Sequence, residues 1–225
     1  MRFGSIIFKI FGCVFPCAIL LTLGTWQILR LQEKLHIIHT MSGAIVPLPE
    51  GDDLQSHNYK RIQVQGTFKT TYFRVFAGRA GYYFLQPMEL TDGRHVLINR
   101  GTLSEYAKID IQDASMDEQV SGTLYCTLSS KTKWVAANNA DKNLWFWYDI
   151  ESMSKHIGVP LEDCIIWGDK TSLLDGLQPN KMPQVRNDHL EYAITWYTLA
   201  MIWVGGYIYF LRTRQRLRSR PHNPE

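Results

Sequence analysis

The chain has 225 residues, which suits one moderate domain with appendages, and its hydrophobic content of 45% excludes a disordered chain. Its formal net charge is +3, yet residues 31–188 hold 16 basic and 19 acidic side chains, so the positive excess lies in the two ends of the chain. A nucleic-acid-binding protein would need a basic patch on its folded part, and this charge distribution therefore argues against one.

The first predicted element is a transmembrane helix over residues 10–29, an apolar run of 20 residues without a charge. At a rise of about 1.5 Å per residue, about 20 apolar residues cover the ~30 Å hydrocarbon core of a bilayer. Arg2 and Lys9 precede the run and could be the basic start of a cleaved signal peptide. The run is long for such a peptide and no A-x-A-like cleavage site follows it, so the sequence favours an uncleaved anchor.

Two cysteines lie within this first predicted helix. Cys13 and Cys17 are one helical turn apart and share a face. A pair of soft thiolates could hold Cu(I), which makes an anchored thiol or copper protein one hypothesis for the chain. Cysteines buried in membranes are more often small hydrophobic side chains, and that interpretation is favoured here.

Residues 30–188 are predicted to form an external β-rich domain with linkers at both ends. Strand patterns bounded by turn residues cover 59–68, 71–77, 81–90, 94–99, 119–128 and 163–167. The TDG sequence between the third and fourth of these segments predicts a hairpin. One helix is predicted after the N-cap residue Asp149, and it is expected to stop at Gly158. Strands at this spacing predict an α+β fold, with a small antiparallel barrel or sandwich.

The predicted external domain carries no recognisable active-site motif. The sequence has no Gly-rich phosphate loop, no H-E-x-x-H, no C-x-x-C and no nucleophile elbow, so the chain is not expected to be an enzyme. Cys126 and Cys164 fall in this domain, where an oxidising compartment would permit a disulfide. Because sequence does not place their Cβ atoms, the bonded and the reduced forms both remain open.

A second transmembrane helix is predicted over residues 189–211, followed by a basic tail over residues 212–225 with five arginines. The positive-inside rule places this tail and residues 1–9 in the cytoplasm. The domain between the spans then lies in the periplasm of a bacterium or its organelle equivalent. No Arg/Ser-rich presequence precedes the first span, which favours a multi-pass protein of the bacterial cell inner membrane. The tail could also contact anionic lipid or RNA, although topology alone accounts for its charge.

His189 is the candidate functional residue, since it begins the second predicted span. Ala193, Trp196 and Ala200 lie near its face by the spacing of three and four residues. The small residues could leave a slot and Trp196 an apolar wall, so a flat macrocycle could sit there with His189 on its iron. The alternative is an interfacial histidine that reaches the lipid headgroups beside a tyrosine, and spacing alone favours this alternative.

The neighbours of His189 follow from the predicted topology. Because both linkers are external, the end of the first span emerges on the same side of the membrane as His189. We therefore expect Trp26, Gln27 and Arg30 to lie close to His189. Arg30 or Arg186 could then bind the propionates of a haem by charge-assisted hydrogen bonds.

Three further blocks of the sequence are distinctive: LGTWQILRLQEK (23–34), VLINRG (96–101) and NDHLEYAITWYTLA (187–200). In this order they resemble the surfeit locus protein 1 family of cytochrome c oxidase assembly factors. The last block is similar to the family's Asn-Asn-His-Leu…Tyr-Ala…Thr-Trp signature at the second span. The chain departs from the family at Asp188, where a second Asn is usual, and at Thr102, where Trp is usual.

The resemblance implies an accessory protein that handles haem a during maturation of the oxidase's catalytic subunit. It implies that the histidine matching His189 is a haem ligand, and that the catalytic subunit, the haem a synthase and membrane lipid are candidate partners. A cofactor-free scaffold that stabilises an assembly intermediate is the alternative. That scaffold would need the region of Asn99, Arg100 and Gly101 rather than His189, and the role of Arg100 stays open.

Overall fold

The computed structural model describes residues 3–48, 50–104, 117–128, 136–170, 176–179, 182 and 184–218. The chain divides into two compact units, a helical unit of Met1–His36 with Val185–Glu225 and a strand unit of Ile37–Gln184. The elements in chain order are α1 (Phe3–Met41), β1 (Val46–Pro47), β2 (Arg61–Phe68), β3 (Phe73–Phe76), β4 (Tyr82–Leu90), β5 (His95–Leu103), β6 (Asp117–Tyr125), α2 (Ile150–Ile157), β7 (Ile165–Gly168) and α3 (His189–Arg218). Two short 3-10 helices cover Leu54–His57 and Gly78–Ala80.

Five strands of the strand unit close into a small barrel in the order β2–β6–β7–β5–β4, with β4 pairing again with β2. β2 pairs with β6 over most of its length, and its last residues, 66–68, also pair with residues 88–90 of β4. The sequence prediction of a small β-rich barrel is confirmed. It is not wholly antiparallel, because β5 and β7 run parallel.

The barrel closes where two strands come unusually close together. Gly66 pairs with both β4 and β6, and a Cβ atom built on it would lie 2.1 Å from the carbonyl oxygen of Glu89. Only a glycine therefore allows the backbones of β2 and β4 to meet at this point.

The described residues form three hydrophobic core clusters: a small one of Phe84, Leu103 and Leu177, and two larger ones on opposite faces of β5. Val96 and Ile98 belong to the first of the larger clusters, together with Leu54, Ile62, Val64, Phe68, Met88, Leu90, Val120, Leu124, Cys126, Cys164 and Ile166. Leu97 belongs to the second, in which Met153 of α2 covers Phe73, Val75, Leu85, Trp145, Ile165 and Trp167. β2 buries side chains on alternate positions only, as its sequence pattern predicts.

Local signals predicted α2 and its ends correctly. The Asp149 carboxylate accepts a hydrogen bond from the Ser152 backbone N–H at 3.1 Å, which satisfies one free donor of the first turn. Gly158 ends the helix with φ of 75°, a left-handed conformation that favours glycine.

A disulfide joins Cys126, directly after β6, to Cys164, directly before β7. These two strands are neighbours in the barrel, and Tyr125 pairs with Ile165 beside the bond. The disulfide that the sequence left open is therefore part of the fold.

The long terminal helices α1 and α3 are apolar and long enough to cross a membrane, over Phe11–Met41 and His189–Arg216. Both continue past the spans predicted from charge-free runs, which end at residues 29 and 211. The extensions are rich in Leu, Gln, Glu, Lys and Arg, which are good helix formers, so a charge ends the apolar run without ending the helix. Many large apolar side chains of the two helices are exposed, as lipid-facing positions require. Together these helices support membrane anchoring.

Candidate functional site

The candidate site is built around one hydrogen bond between the two long helices. His189, the first residue of α3, lies with Nδ1 2.6 Å from Oε1 of Gln27 on α1. An amide oxygen only accepts hydrogen bonds, so the imidazole donates from Nδ1. In this tautomer the neutral imidazole of His189 keeps a lone pair on Nε2. An imidazole in that form can ligate a metal through Nε2. Gln27 is itself only 8% exposed.

The packing of α1 against α3 positions this bond. A Cβ atom on Gly24 would lie 3.0 Å from the Tyr197 ring, so the glycine admits that ring close to the α1 backbone. The Thr25 hydroxyl lies 3.2 Å from the Tyr197 hydroxyl. These contacts hold the two antiparallel helices in one register, and Gln27 then faces His189 one turn further along α1.

The predicted proximity of Gln27 to His189 is confirmed, whereas Arg30 engages a different partner. Its guanidinium donates to the Glu33 carboxylate at 2.6 Å and lies 6.0 Å from the centroid of the Trp26 ring. About half of the Arg30 side chain is exposed. The structure thus gives Arg30 a partner on its own helix.

Trp196 lies two turns after His189 on α3. Its indole Nε1 is buried and has no hydrogen-bond partner among the described residues. Ala193 and Ala200, which were expected to border an open slot, are only 1% and 4% exposed. These small side chains share a face of α3 with His189 and Tyr197, which contact α1, so the packing of the two helices closes the slot.

The residues just before α3 carry the other polar groups of the site. The Arg186 guanidinium donates to the carboxylate of Asp188, the residue that departs from the family pattern. The side-chain oxygen of Asn187 is buried without a partner among the described residues. Sequence spacing did not single out Asn187, Gly24 or Tyr197, since their roles depend on the partner helix.

The donor set suits one kind of metal group better than others. Among the described residues, no three His, Cys, Asp or Glu side chains come together as a metal site. Structural zinc sites usually need four protein ligands. A haem iron needs only one axial imidazole, because the macrocycle supplies the other nitrogens. His189 with an orienting amide therefore fits a haem. The buried polar atoms of Trp196 and Asn187, which have no partner in the part of the chain that the structure describes, fit a site that receives a further group.

Arg100 belongs to the strand unit. Only 4% of it is exposed, and its guanidinium lies 4.1 Å from the centroid of the Phe68 ring. It donates to Gln86 Oε1 and to Glu118 Oε2, each at 3.1 Å. Burial lowers the pKa of Arg100, and the neighbouring Glu118 opposes that shift. Arg100 is therefore a buried support of the barrel rather than an exposed contact residue.

Thr102, Cys13 and Cys17 are the other residues that the sequence singled out. Thr102 is buried on β5, and its backbone exchanges hydrogen bonds with Gln178 at 2.8 and 2.9 Å. Cys13 and Cys17 are half-buried free thiols on α1.

Comparison with known proteins identifies the family. The profile of the SURF1 family matches residues 14–201. The chain is 33% identical over 211 residues to a SURF1-like protein of Rickettsia felis, covering 86% of this chain and 92% of that relative. A SURF1-like protein of Monosiga brevicollis is 30% identical over 236 residues, covering 88% and 87% respectively. Surfeit locus protein 1 of Homo sapiens is 27% identical over 232 residues, covering 88% and 74%. The chain therefore belongs to the SURF1 family.

Proposed function

We propose that this chain is a membrane-anchored assembly factor for cytochrome c oxidase that holds haem a at His189 during maturation of the catalytic subunit. Membership of the SURF1 family implies a role in oxidase assembly. The observation that carries the haem proposal is the hydrogen bond from His189 Nδ1 to Gln27.

Each side chain of the site has a distinct task under this proposal. Gln27 holds the imidazole ring in one orientation and keeps the proton on Nδ1, so that Nε2 remains as the ligand nitrogen. Trp196 would supply an apolar surface, and its buried indole N–H has no partner among the described residues. Arg30 and Arg186 are the candidate contacts for propionates, and each would exchange a carboxylate partner for one. A bound haem a would supply the iron that accepts the imidazole nitrogen.

The location we infer is the bacterial inner membrane, with both termini in the cytoplasm and the strand unit in the periplasm. The five arginines after residue 211 support this orientation by the positive-inside rule. The disulfide between Cys126 and Cys164 supports an oxidising compartment for the strand unit. The relative from Rickettsia supports a bacterial setting. The catalytic subunit and the haem a synthase are the partners we propose, and we assign the chain no catalytic step of its own.

The test is the absorption spectrum of the full-length chain, purified from cells that make haem a. The wild type is expected to carry a haem spectrum, and His189→Ala is expected to lose it. His39→Ala, an exposed histidine on α1, is the matched control and should keep the haem. An unloaded wild type, or equal loading in His189→Ala, would overturn the proposal.

A cofactor-free scaffold is the second candidate, and the covered face at Ala193 and Ala200 favours it. In that case His189→Ala would support normal oxidase activity in cells. Substitution of the buried Arg100 would impair oxidase activity by destabilising the strand unit. Loss of oxidase activity in the Arg100 variant alone would indicate a scaffold, whereas loss in both variants would indicate haem handling.

A further inference from the structure

A group of aromatic rings lies on the face of β3 that points away from the core. Phe76, the last residue of β3, is 47% exposed and pairs with Tyr82 of β4. Its ring centroid lies 6.0 Å from that of Tyr82 and 5.8 Å from that of Phe146. Phe146 directly follows Trp145, which forms a backbone bridge to β3. A group of large apolar side chains on a surface, unlike a single one, indicates a contact surface.

Two arginines accompany these rings. Arg74 lies two residues before Phe76 on the same face of β3, and its Cζ lies 4.8 Å from the centroid of the Tyr82 ring. The guanidinium thus lies over an aromatic ring, an arrangement that favours the cation. Arg79 lies in the 3-10 helix between β3 and β4 and is exposed. We call these five residues the β3 patch: Arg74, Phe76, Arg79, Tyr82 and Phe146.

Both arginines of the β3 patch lack a carboxylate partner among the described residues. The other three arginines of the strand unit each bind a carboxylate: Arg61 that of Asp169, Arg94 that of Asp92 and Arg100 that of Glu118. The patch is therefore a local positive region within residues 31–188, which hold 19 acidic and 16 basic side chains. A carboxylate of another molecule would stabilise these two cations by charge-assisted hydrogen bonds.

We propose that the β3 patch docks an acidic segment of a partner protein. Carboxylates of that segment bind Arg74 and Arg79, and one of its apolar side chains packs on Phe76. Aromatic residues and arginine are enriched in the energetic centres of protein interfaces, where Lys, Asp and Glu are depleted. Anionic lipid is typically bound by clusters of about four to eight cations, and the patch holds two. The inference rests on the proposed function for the partner, which is the catalytic subunit of the oxidase.

The experiment measures the affinity of the full-length chain for detergent-solubilised catalytic subunit that is purified from cells lacking this chain. We expect the wild-type affinity to fall as the salt concentration rises, because the contact is partly ionic. Phe76→Ser removes the exposed aromatic ring, and Arg79→Glu places a carboxylate against the acidic segment. Each of these variants is expected to weaken binding about ten-fold.

Lys170→Glu is the matched control, since it reverses an exposed cation two residues after β7 and outside the β3 patch. It changes the net charge as Arg79→Glu does, and it should bind like the wild type. Phe76 and Arg79 are exposed, so all three variants should unfold at the wild-type temperature, as measured by circular dichroism. Reduced affinity at an unchanged unfolding temperature then reports on the surface rather than on the fold.

Several outcomes would overturn the inference. They are a wild type that does not bind the subunit, unchanged affinity in Phe76→Ser and Arg79→Glu, and an equal loss of affinity in Lys170→Glu. The occupant would be lipid if the two patch variants keep the subunit but lose binding to phosphatidylglycerol vesicles. It would be a second copy of the chain if they lose only self-association in analytical ultracentrifugation.

The haem spectrum keeps this inference separate from the proposed function. Arg79→Glu should carry as much haem as the wild type, because the β3 patch is not part of the candidate haem site. A chain that binds the subunit through the patch but carries haem equally in His189→Ala would contradict haem handling alone. A chain that needs His189 for haem but binds the subunit without the patch would contradict the docking inference alone.

Discussion

In the haem site that we propose, the Gln27 amide oxygen would leave Nε2 of His189 as the nitrogen that ligates the metal. Leucine at position 27 would keep much of the side-chain volume and remove the acceptor, so the ring would lose its orientation and its tautomer. We expect Gln27→Leu to weaken haem binding about ten- to hundred-fold, as loss of outer-shell partners does at other metal sites. The measurement is an absorption titration. Gln32→Leu, an exposed position on the same helix, is the control, and equal affinity in both variants would contradict the prediction.

A second residue-scale prediction concerns the hairpin turn between β4 and β5. A hydrogen bond from the Arg94 side chain lowers the pKa of Asp92 from 3.8 to about 2, although partial burial opposes the shift. Because the folded-state pKa is lower than the unfolded one, ionised Asp92 stabilises the fold above about pH 4, and this contribution is lost as the pH falls towards 2. Asp92→Asn should therefore lower Tm at pH 7 and leave it unchanged near pH 2.

Thermal unfolding followed by circular dichroism between pH 7 and pH 2 checks the Asp92 prediction. Asp141→Asn, on an exposed aspartate of the strand unit, should show no such dependence. If the Tm difference between Asp92→Asn and the wild type is the same at every pH, Asp92 acts through turn geometry rather than through its charge.

At the scale of elements, the disulfide links two neighbouring strands of the barrel. It closes a loop of 38 residues, and the loop-closure entropy of a loop of this length is worth about 4 kcal/mol of stability. The double variant Cys126→Ala with Cys164→Ala should therefore unfold at a clearly lower urea concentration than the wild type under non-reducing conditions. Cys13→Ala with Cys17→Ala, which removes two free thiols, should unfold like the wild type.

A reducing agent should lower the midpoint of wild-type unfolding to that of the Cys126 and Cys164 double variant. Unfolding that does not respond to the reducing agent would show that the bond adds nothing to stability. Urea unfolding of wild-type protein that is purified without a reducing agent also shows whether the disulfide has formed in cells. A formed disulfide would mean that the strand unit matures in an oxidising compartment.

The strands themselves were predictable, because alternation of apolar and polar residues depends on neighbours in the chain. The six predicted segments each overlap a strand, although β5, β6 and β7 run past the predicted bounds. The caps of α2 at Asp149 and Gly158 are where the sequence places them. The parallel pairing of β5 with β7 was not predictable. It joins two strands that are far apart in the chain, so it depends on the order of the strands around the barrel rather than on a local pattern.

At the scale of the whole molecule, the charge partition predicts which parts of the chain face the cytoplasm. A single cysteine that replaces either Asp141 or Arg214, both of which are exposed, tests this topology. The background keeps the disulfide and replaces Cys13 and Cys17 by alanine. We expect a membrane-impermeant maleimide to label Asp141→Cys on intact cells and Arg214→Cys only after permeabilisation. The reverse labelling would contradict the topology.

The sequence by itself determined the two apolar spans, the strand and helix segments, the acidic middle of the chain and the choice of His189. Each of these depends on side-chain chemistry and spacing within a short stretch. Only the tertiary structure decided that the Gln27 oxygen accepts a hydrogen bond from His189, that Ala193 and Ala200 are buried, and that Cys126 meets Cys164. These contacts join residues far apart in the chain, and the close approach of backbones and side chains that creates them is a property of packing rather than of local pattern.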